Sequence, residues 1–156
     1  MAGLSINKLT EILYENSDES RAQVIARALI AKKPKTTLQM VAVLREVITG
    51  FSKKVQLEEG DAPIRRAFQA LRITVNEELT SLEHFLKDIP LMLNPKGRVA
   101  ILSFHSGEDR RVKKSFQAFE RNQIYSKISS EFIRPSAEEQ RSNSRAKSAK
   151  LRWAIL

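Results

Sequence analysis

Apolar positions recur every three or four residues through the first half of the chain, a spacing that predicts one helix after another. Ser5 is placed to cap a short helix whose Ile6, Leu9, Ile12 and Leu13 share a face. Asn16 followed by Glu19 has capping-box spacing. It predicts the start of a second helix, with Val24, Ile25, Ala28 and Leu29 inward and Lys32 and Lys33 at the end, where cations suit the helix dipole. Pro34 prevents continuation. Thr36 with Gln39 repeats the signature, and Leu38, Val41, Leu44, Val47 and Ile48 then run to Gly50, a suitable stop. Residues 51–62 read as a charged connection. Pro63 suits the first turn of a long helix. Ile64, Phe68, Leu71, Val75, Leu79, Leu82 and Leu86 carry that helix to about Lys87, before Pro90 forbids it.

The period then changes. Asn94-Pro95-Lys96-Gly97 is turn chemistry, with proline fixing φ and glycine tolerating a left-handed conformation. Arg98 to Phe104 is a short run without polar alternation, which predicts a central strand covered on both faces. Ser106 with Asp109 is another capping signature, and Val112, Phe116 and Phe119 give the next helix its apolar face. Ile128 to Ile133 and Leu151 to Ile155 have strand character. These elements describe the back half of an α/β sheet protein preceded by a helical unit.

Composition narrows the function classes. The 156 residues suffice for one compact domain and are marginal for two. With 42% hydrophobic and 29% charged residues the chain is ordinary globular material. The absence of cysteine excludes a disulfide framework, a thiolate metal site and a cysteine nucleophile, and two histidines give no basis for a metal cluster. No apolar run approaches the roughly 20 residues that cross a bilayer, so no membrane partner is expected. The first residues lack the layout of a secretory signal, making a cytoplasmic protein the expectation. The net charge of +9 is uneven: residues 121–156 hold eight basic side chains against three acidic ones, and no acid follows Glu139. Such a tail suits a polyanion through counterion release, or is simply a solvated basic end.

The loop Ser103-Phe104-His105-Ser106 falls at the C-terminal edge of the predicted strand, before a capped helix, where α/β sheets bind ligands. His105 is either part of such a site or fixes the loop by bonding to backbone. His84 lies on the polar side of the long helix. Glu108 and Asp109 have the residue types for acid/base work, but a helix's first turn also attracts carboxylates for dipole reasons. The five glycines, at 3, 50, 60, 97 and 107, form neither a dinucleotide fingerprint nor a phosphate loop.

Several blocks together resemble the MraW (RsmH) methyltransferases. Phe68-Gln69-Ala70-Leu71-Arg72-Ile73 with Val75-Asn76 and Glu78-Leu79 is similar to their long-helix signature. Gly97-Arg98, Ile101, Ser103 to Ser106, Glu108-Asp109-Arg110 and Val112-Lys113 resemble the family stretch GGR…ISFHSLEDRIVK. Arg134-Pro135-Ser136 and Arg145 to Arg152 resemble its RPS and RARSAKLR elements, and Ile25 to Leu29 its IARAI. The departures are Gly107, where the family usually has Leu, and the approach to the long helix, which keeps only Pro63 and Arg66. The family's glycine-rich cofactor loop and DLGVSS segment have no counterpart in this sequence.

The resemblance implies methyl transfer from S-adenosylmethionine to the exocyclic N4 of a cytosine in small-subunit (16S) ribosomal RNA. It implies a helical insert at 4–50, a connection at 51–62 and, over 63–156, the distal half of a class I (Rossmann-like) methyltransferase sheet with a basic tail. Ser103, His105 and Ser106 would line the cytidine side of the pocket, with His105 orienting the base or accepting a proton. Arg110, Arg111, Lys113, Arg145, Lys147, Lys150 and Arg152 would hold RNA phosphates. No cofactor-binding residues are assigned, so S-adenosylmethionine would be held by a missing or separate N-terminal half, and the chain alone would be inactive. Two other readings stay open: a non-catalytic RNA-binding or ribosome-associated relative, and a helical protein-interaction module.

Overall fold

A computed structural model describes residues 3–156, which divide into two compact units, one ending at Glu77 and the other beginning at Glu78. The first is helical: α1 (Ile6–Ser17), α2 (Ala22–Lys32), α3 (Thr37–Thr49), α4 (Lys53–Glu59) and α5 (Ala62–Val75). Ser5 and Thr36 cap α1 and α3 as their spacing predicts, each hydroxyl accepting a backbone N–H at 3.2 Å. The Asn16–Glu19 capping box does not form. Asn16 is inside α1 and donates to Thr74 Oγ1 at 2.9 Å, while Asp18 turns left-handed to end the helix. Glu19 is fully buried and accepts from the Arg21 N–H and from Arg66 Nε. An ion pair across the unit therefore takes the carboxylate that local spacing assigns to a cap.

The expected connection at 51–62 contains a helix of its own. Ser52 caps α4, which carries Glu59 to Arg66 and Arg21. The expected long helix also breaks: α5 ends at Asn76, Glu77 has φ 51°, and α6 begins at Glu78. The inward face of α5 matches the large residues of the sequence stripe only in part. Ile64, Ala67, Ala70 and Ile73 are buried, Phe68 and Leu71 only partly so, and Val75 is exposed. Alanine at two inward positions lets α5 lie close against α1. Helix α5 packs on α1 and α3 within the first unit.

The second unit contains α6 (Glu78–Met92), β1 (Arg98–Ser103), α7 (Ser106–Arg121), β2 (Lys127–Ile128), α8 (Ala137–Ser142), a 3-10 turn (Ser144–Ser148) and β3 (Lys150–Ile155). Helix α6 continues through Pro90, since the buried Leu86 and Ile89 hold its last turn to the core. In the turn that follows, Lys96 takes the left-handed conformation, at φ 63°. Gly97 is needed for a different reason than expected: a Cβ there would stand 2.6 Å from the Asn94 carbonyl oxygen.

The strands form an antiparallel sheet in the order β1-β3-β2, with Arg98 opposite Ile155, Ser103 opposite Lys150, and Ile128 opposite Ala154. β1 is thus an edge strand. Among the described residues, Val99, Ile101 and Ser103 of β1 face the helices, whereas Ala100 and Leu102 are exposed. The strand character of 128–133 shrinks to β2 and one bridge between Ile133 and Leu151. Leu86, Ile89, Val112, Phe116, Tyr125 and Ala154 make the core. The Tyr125 ring meets Phe116 and Phe119 edge-on at 5.5 and 5.6 Å, and burial raises the pKa of its phenol. Among the described residues, no helix is long and apolar enough to cross a membrane.

Candidate nucleic-acid interface

Strand parity decides which loop residues reach an open surface. Along β1, Ser103 points to the helix-covered face, where it is 2% exposed and its hydroxyl donates to the Lys150 carbonyl at 3.4 Å. Leu102 and Phe104 point the other way, and both are half exposed. They border a groove of about 580 Å³ that Ile133 and Leu151 continue and that α8 and the 3-10 turn close. Arg134 and Arg145 line it, as do Glu139 and Asn143.

None of Ser103, His105 and Ser106 lines this groove. His105 caps α7, one residue before the expected Ser106: its Nδ1 accepts the Glu108 N–H at 3.3 Å. Glu108 reaches back to accept the Phe104 N–H at 2.9 Å, so the two side chains close a reciprocal cap. His105 Nε2 is buried 3.1 Å from Glu108 Oε1 without being aligned as a hydrogen bond. His105 and then the Phe104 N–H hold the Glu108 carboxyl below its usual range against the opposing effect of burial. The imidazole Nδ1 is thus committed to the backbone and its Nε2 faces a carboxylate. Gly107 gives it room, since a Cβ there would lie 3.1 Å from the imidazole Nδ1. Ser106 is exposed at the start of α7.

The seven cations named from sequence are not equivalent. Arg110 and Lys113 are exposed on α7, and Arg145 and Lys147 on the 3-10 turn. Arg111 is turned toward its own fold, bonding Glu83 at 2.7 Å and the Gly107 carbonyl at 3.3 Å. Arg152 is turned inward. It is 3% exposed and forms a two-point pair with Asp109, Nε to Oδ1 at 2.7 Å and Nη2 to Oδ2 at 3.3 Å. Alternation along β3 puts Arg152 and Ala154 inward, where apolar pattern suggests Leu151 and Trp153. Lys150 lies 3.7 Å from the same carboxylate. Arg134, Lys150 and Arg152 all stack on the Phe132 ring, at 4.8, 5.1 and 5.5 Å from its centroid. Sequence reading did not single out Phe104, Arg134, Glu139 and Asn143, which line this groove. The signal for Phe104 was period-two parity with the exposed side of β1.

Among the described residues no three histidine, aspartate or glutamate side chains gather as a metal site. A Cβ at Gly107 would meet the His105 imidazole, one at Gly97 would meet its own turn, and the α7 N-terminus is capped by the His105 and Glu108 side chains.

Helices packed against one face of a small sheet, with a loop-lined groove on the other, make a partial α/β fold of the methyltransferase kind. The chain belongs to the MraW methylase family, whose model matches residues 1–155. It is 46% identical to the ribosomal RNA small subunit methyltransferase H 2 of Alkaliphilus metalliredigens (strain QYMF), over 97% of this chain and 45% of that protein. Identity is 44% with methyltransferase H 1 of Lachnoclostridium phytofermentans (97% of this chain, 43% of the relative). It is 40% with methyltransferase H of Crocosphaera subtropica (94% and 44%). The chain thus spans a little under half the length of these relatives.

Proposed function

We propose that this chain is the RNA-facing part of a methyltransferase acting on the exocyclic N4 of a cytosine in small-subunit ribosomal RNA. On this reading the first unit carries the helical insert and the second the distal part of a class I sheet. The observation that carries the proposal is the set of exposed cations Arg110, Lys113, Arg134, Arg145 and Lys147, on segments of the second unit that match relatives named for ribosomal RNA. Their contacts are to phosphate, which gives affinity and register without reading sequence. S-adenosylmethionine supplies the methyl group and is held by residues outside these 156. An exocyclic amine whose lone pair is delocalised into the ring is a weak nucleophile, so this chain's contribution is to hold the unstacked base still while its amine is oriented. His105 and Glu108 set the loop that presents Phe104 and transfer no proton.

Titration of a small-subunit ribosomal RNA fragment tests this. With about four phosphates neutralised on a single strand, affinity falls roughly fiftyfold between 50 and 200 mM salt. Lys113→Glu with Lys147→Glu reduces the slope by about the share of two contacts. Affinity indifferent to salt contradicts the proposal.

A further inference from the structure

We propose that Arg21 and Arg66 form a binding site for a phosphate group, that the Glu59 carboxylate occupies this site in the resting chain, and that an incoming phosphate displaces Glu59 and frees α4. The site lies in the first unit and does not depend on the RNA reading above.

Two guanidinium groups from different helices converge on one carboxylate. Arg21 Nη1 stands 2.6 Å from Glu59 Oε1, and Arg66 Nη2 stands 2.5 Å from Oε2. Paired arginines hold a phosphate in the same way, one oxygen to each guanidinium. The two arginines are fixed from behind. Glu19, which is fully buried, accepts Arg66 Nε at 2.7 Å and the Arg21 backbone N–H at 2.9 Å. The Phe51 ring supports the Arg21 guanidinium at 4.8 Å. Their front is open: the Arg21, Arg66 and Glu59 side chains keep 25%, 28% and 27% exposure, so a solute reaches the pair.

Glu59 is the loosely held member. It ends α4, a helix of seven residues in which no residue is buried and Leu57 is 87% exposed. A helix this short does not persist unaided, so its hold on the fold depends on the Glu59 pairs. Gly60 follows at φ 49°, a conformation in which the chain can pivot without a side-chain clash. Charge favours an exchange of anions. Residues 20–45 carry six cations and no acid, which raises the local potential around α2. A phosphate group brings a larger negative charge than a carboxylate and more acceptor oxygens for the same two arginines.

Calorimetric titration of inorganic phosphate into the full chain, with ionic strength held constant by chloride, tests the site. Glu59→Gln is expected to bind phosphate about tenfold more tightly than wild type, because two partly exposed ion pairs no longer have to be broken. Glu58→Gln, the same charge change at the neighbouring exposed position, leaves the affinity within about twofold. Arg21→Ala added to Glu59→Gln abolishes the gain. Release of α4 is read separately. The sequence has no cysteine, so Leu57→Cys takes a single dye, whose anisotropy falls when phosphate saturates the protein. A short oligouridine in the same titrations separates the sources. A larger Glu59→Gln effect with inorganic phosphate names a free phosphate, a larger one with oligouridine names an RNA backbone, and either supports the site. Binding that is absent, or equal in wild type, Glu58→Gln and Glu59→Gln with both ligands, overturns the site. Constant anisotropy at saturation overturns the displacement of α4. A chain that binds phosphate here but no ribosomal fragment overturns the RNA reading and leaves this site standing.

Discussion

Asp109→Ala is expected to destabilise the second unit by about 3–5 kcal/mol, because it strands the Arg152 guanidinium in a site where that side chain is almost fully covered. A unit of this size has only on the order of 5–10 kcal/mol in total. Its melting temperature should therefore drop by more than about 12 °C. The loss spreads to the groove. Asp109 ties α7 to β3 through Arg152, and β3 supplies both the Leu151 wall and the partner strand of β1. Asp109→Leu combined with Arg152→Met keeps the volume and removes both charges, and should recover most of the loss, since an apolar pair often matches a buried ion pair. Thermal melts followed by circular dichroism decide the matter. An Asp109→Ala protein within about 1 kcal/mol of wild type would show that the pair is solvated and the burial argument wrong.

The first unit has its own buried carboxylate. Glu19→Ala should cost about 2–4 kcal/mol there, less than Asp109→Ala because Arg66 keeps 28% exposure and recovers some hydration. Arg66 joins Glu19 at 2.7 Å to Glu59 at 2.5 Å, and Glu59 also pairs with Arg21 at 2.6 Å. Burial works against the Arg66 charge, but its bonds to Glu19 and Glu59 win and raise its pKa. Arg66 first, and then Arg21, hold the Glu59 carboxyl below its ordinary value of 4.5. The folded state thus holds the Glu59 proton less tightly than the unfolded state. This stabilisation is complete above about pH 4.5 and is lost as pH falls through the lower folded pKa. Melting temperatures measured from about pH 7 down to about pH 3 should fall more steeply for wild type than for Glu59→Gln. Parallel profiles would contradict the Glu59 assignment.

Much of this architecture can be read from local pattern. Ser5 and Thr36 cap where their spacing places them, and the strand at 98–103 and the helix after it stand where the change of period locates them. Pattern fails wherever a distant partner outbids a local one. Glu19 has capping spacing but belongs to Arg66, and Asp109 has it too but belongs to Arg152. The Asn76–Glu77 break is hidden because the apolar stripe runs straight across it. Pro90 is tolerated because Leu86 and Ile89 anchor the turn around it. The candidate site shows the same division. In Ser-Phe-His-Ser, chemical type draws attention to Ser103, His105 and Ser106, while parity delivers Phe104 to the open face, where it lines the groove. Arg134 and Glu139 are ordinary surface residues in sequence. Only the return of 133–149 over the end of the sheet brings them to the groove.

Ultraviolet cross-linking of the full chain to a small-subunit ribosomal RNA fragment, with the adducts mapped by peptide mass spectrometry, measures most directly where RNA lies. The expected adducts fall on the loop carrying Phe104 and on the segment from Ile133 to Lys147, and they diminish with Phe104→Ala. Adducts confined to the helical unit before Glu78, with none on those two segments, would contradict the proposed interface.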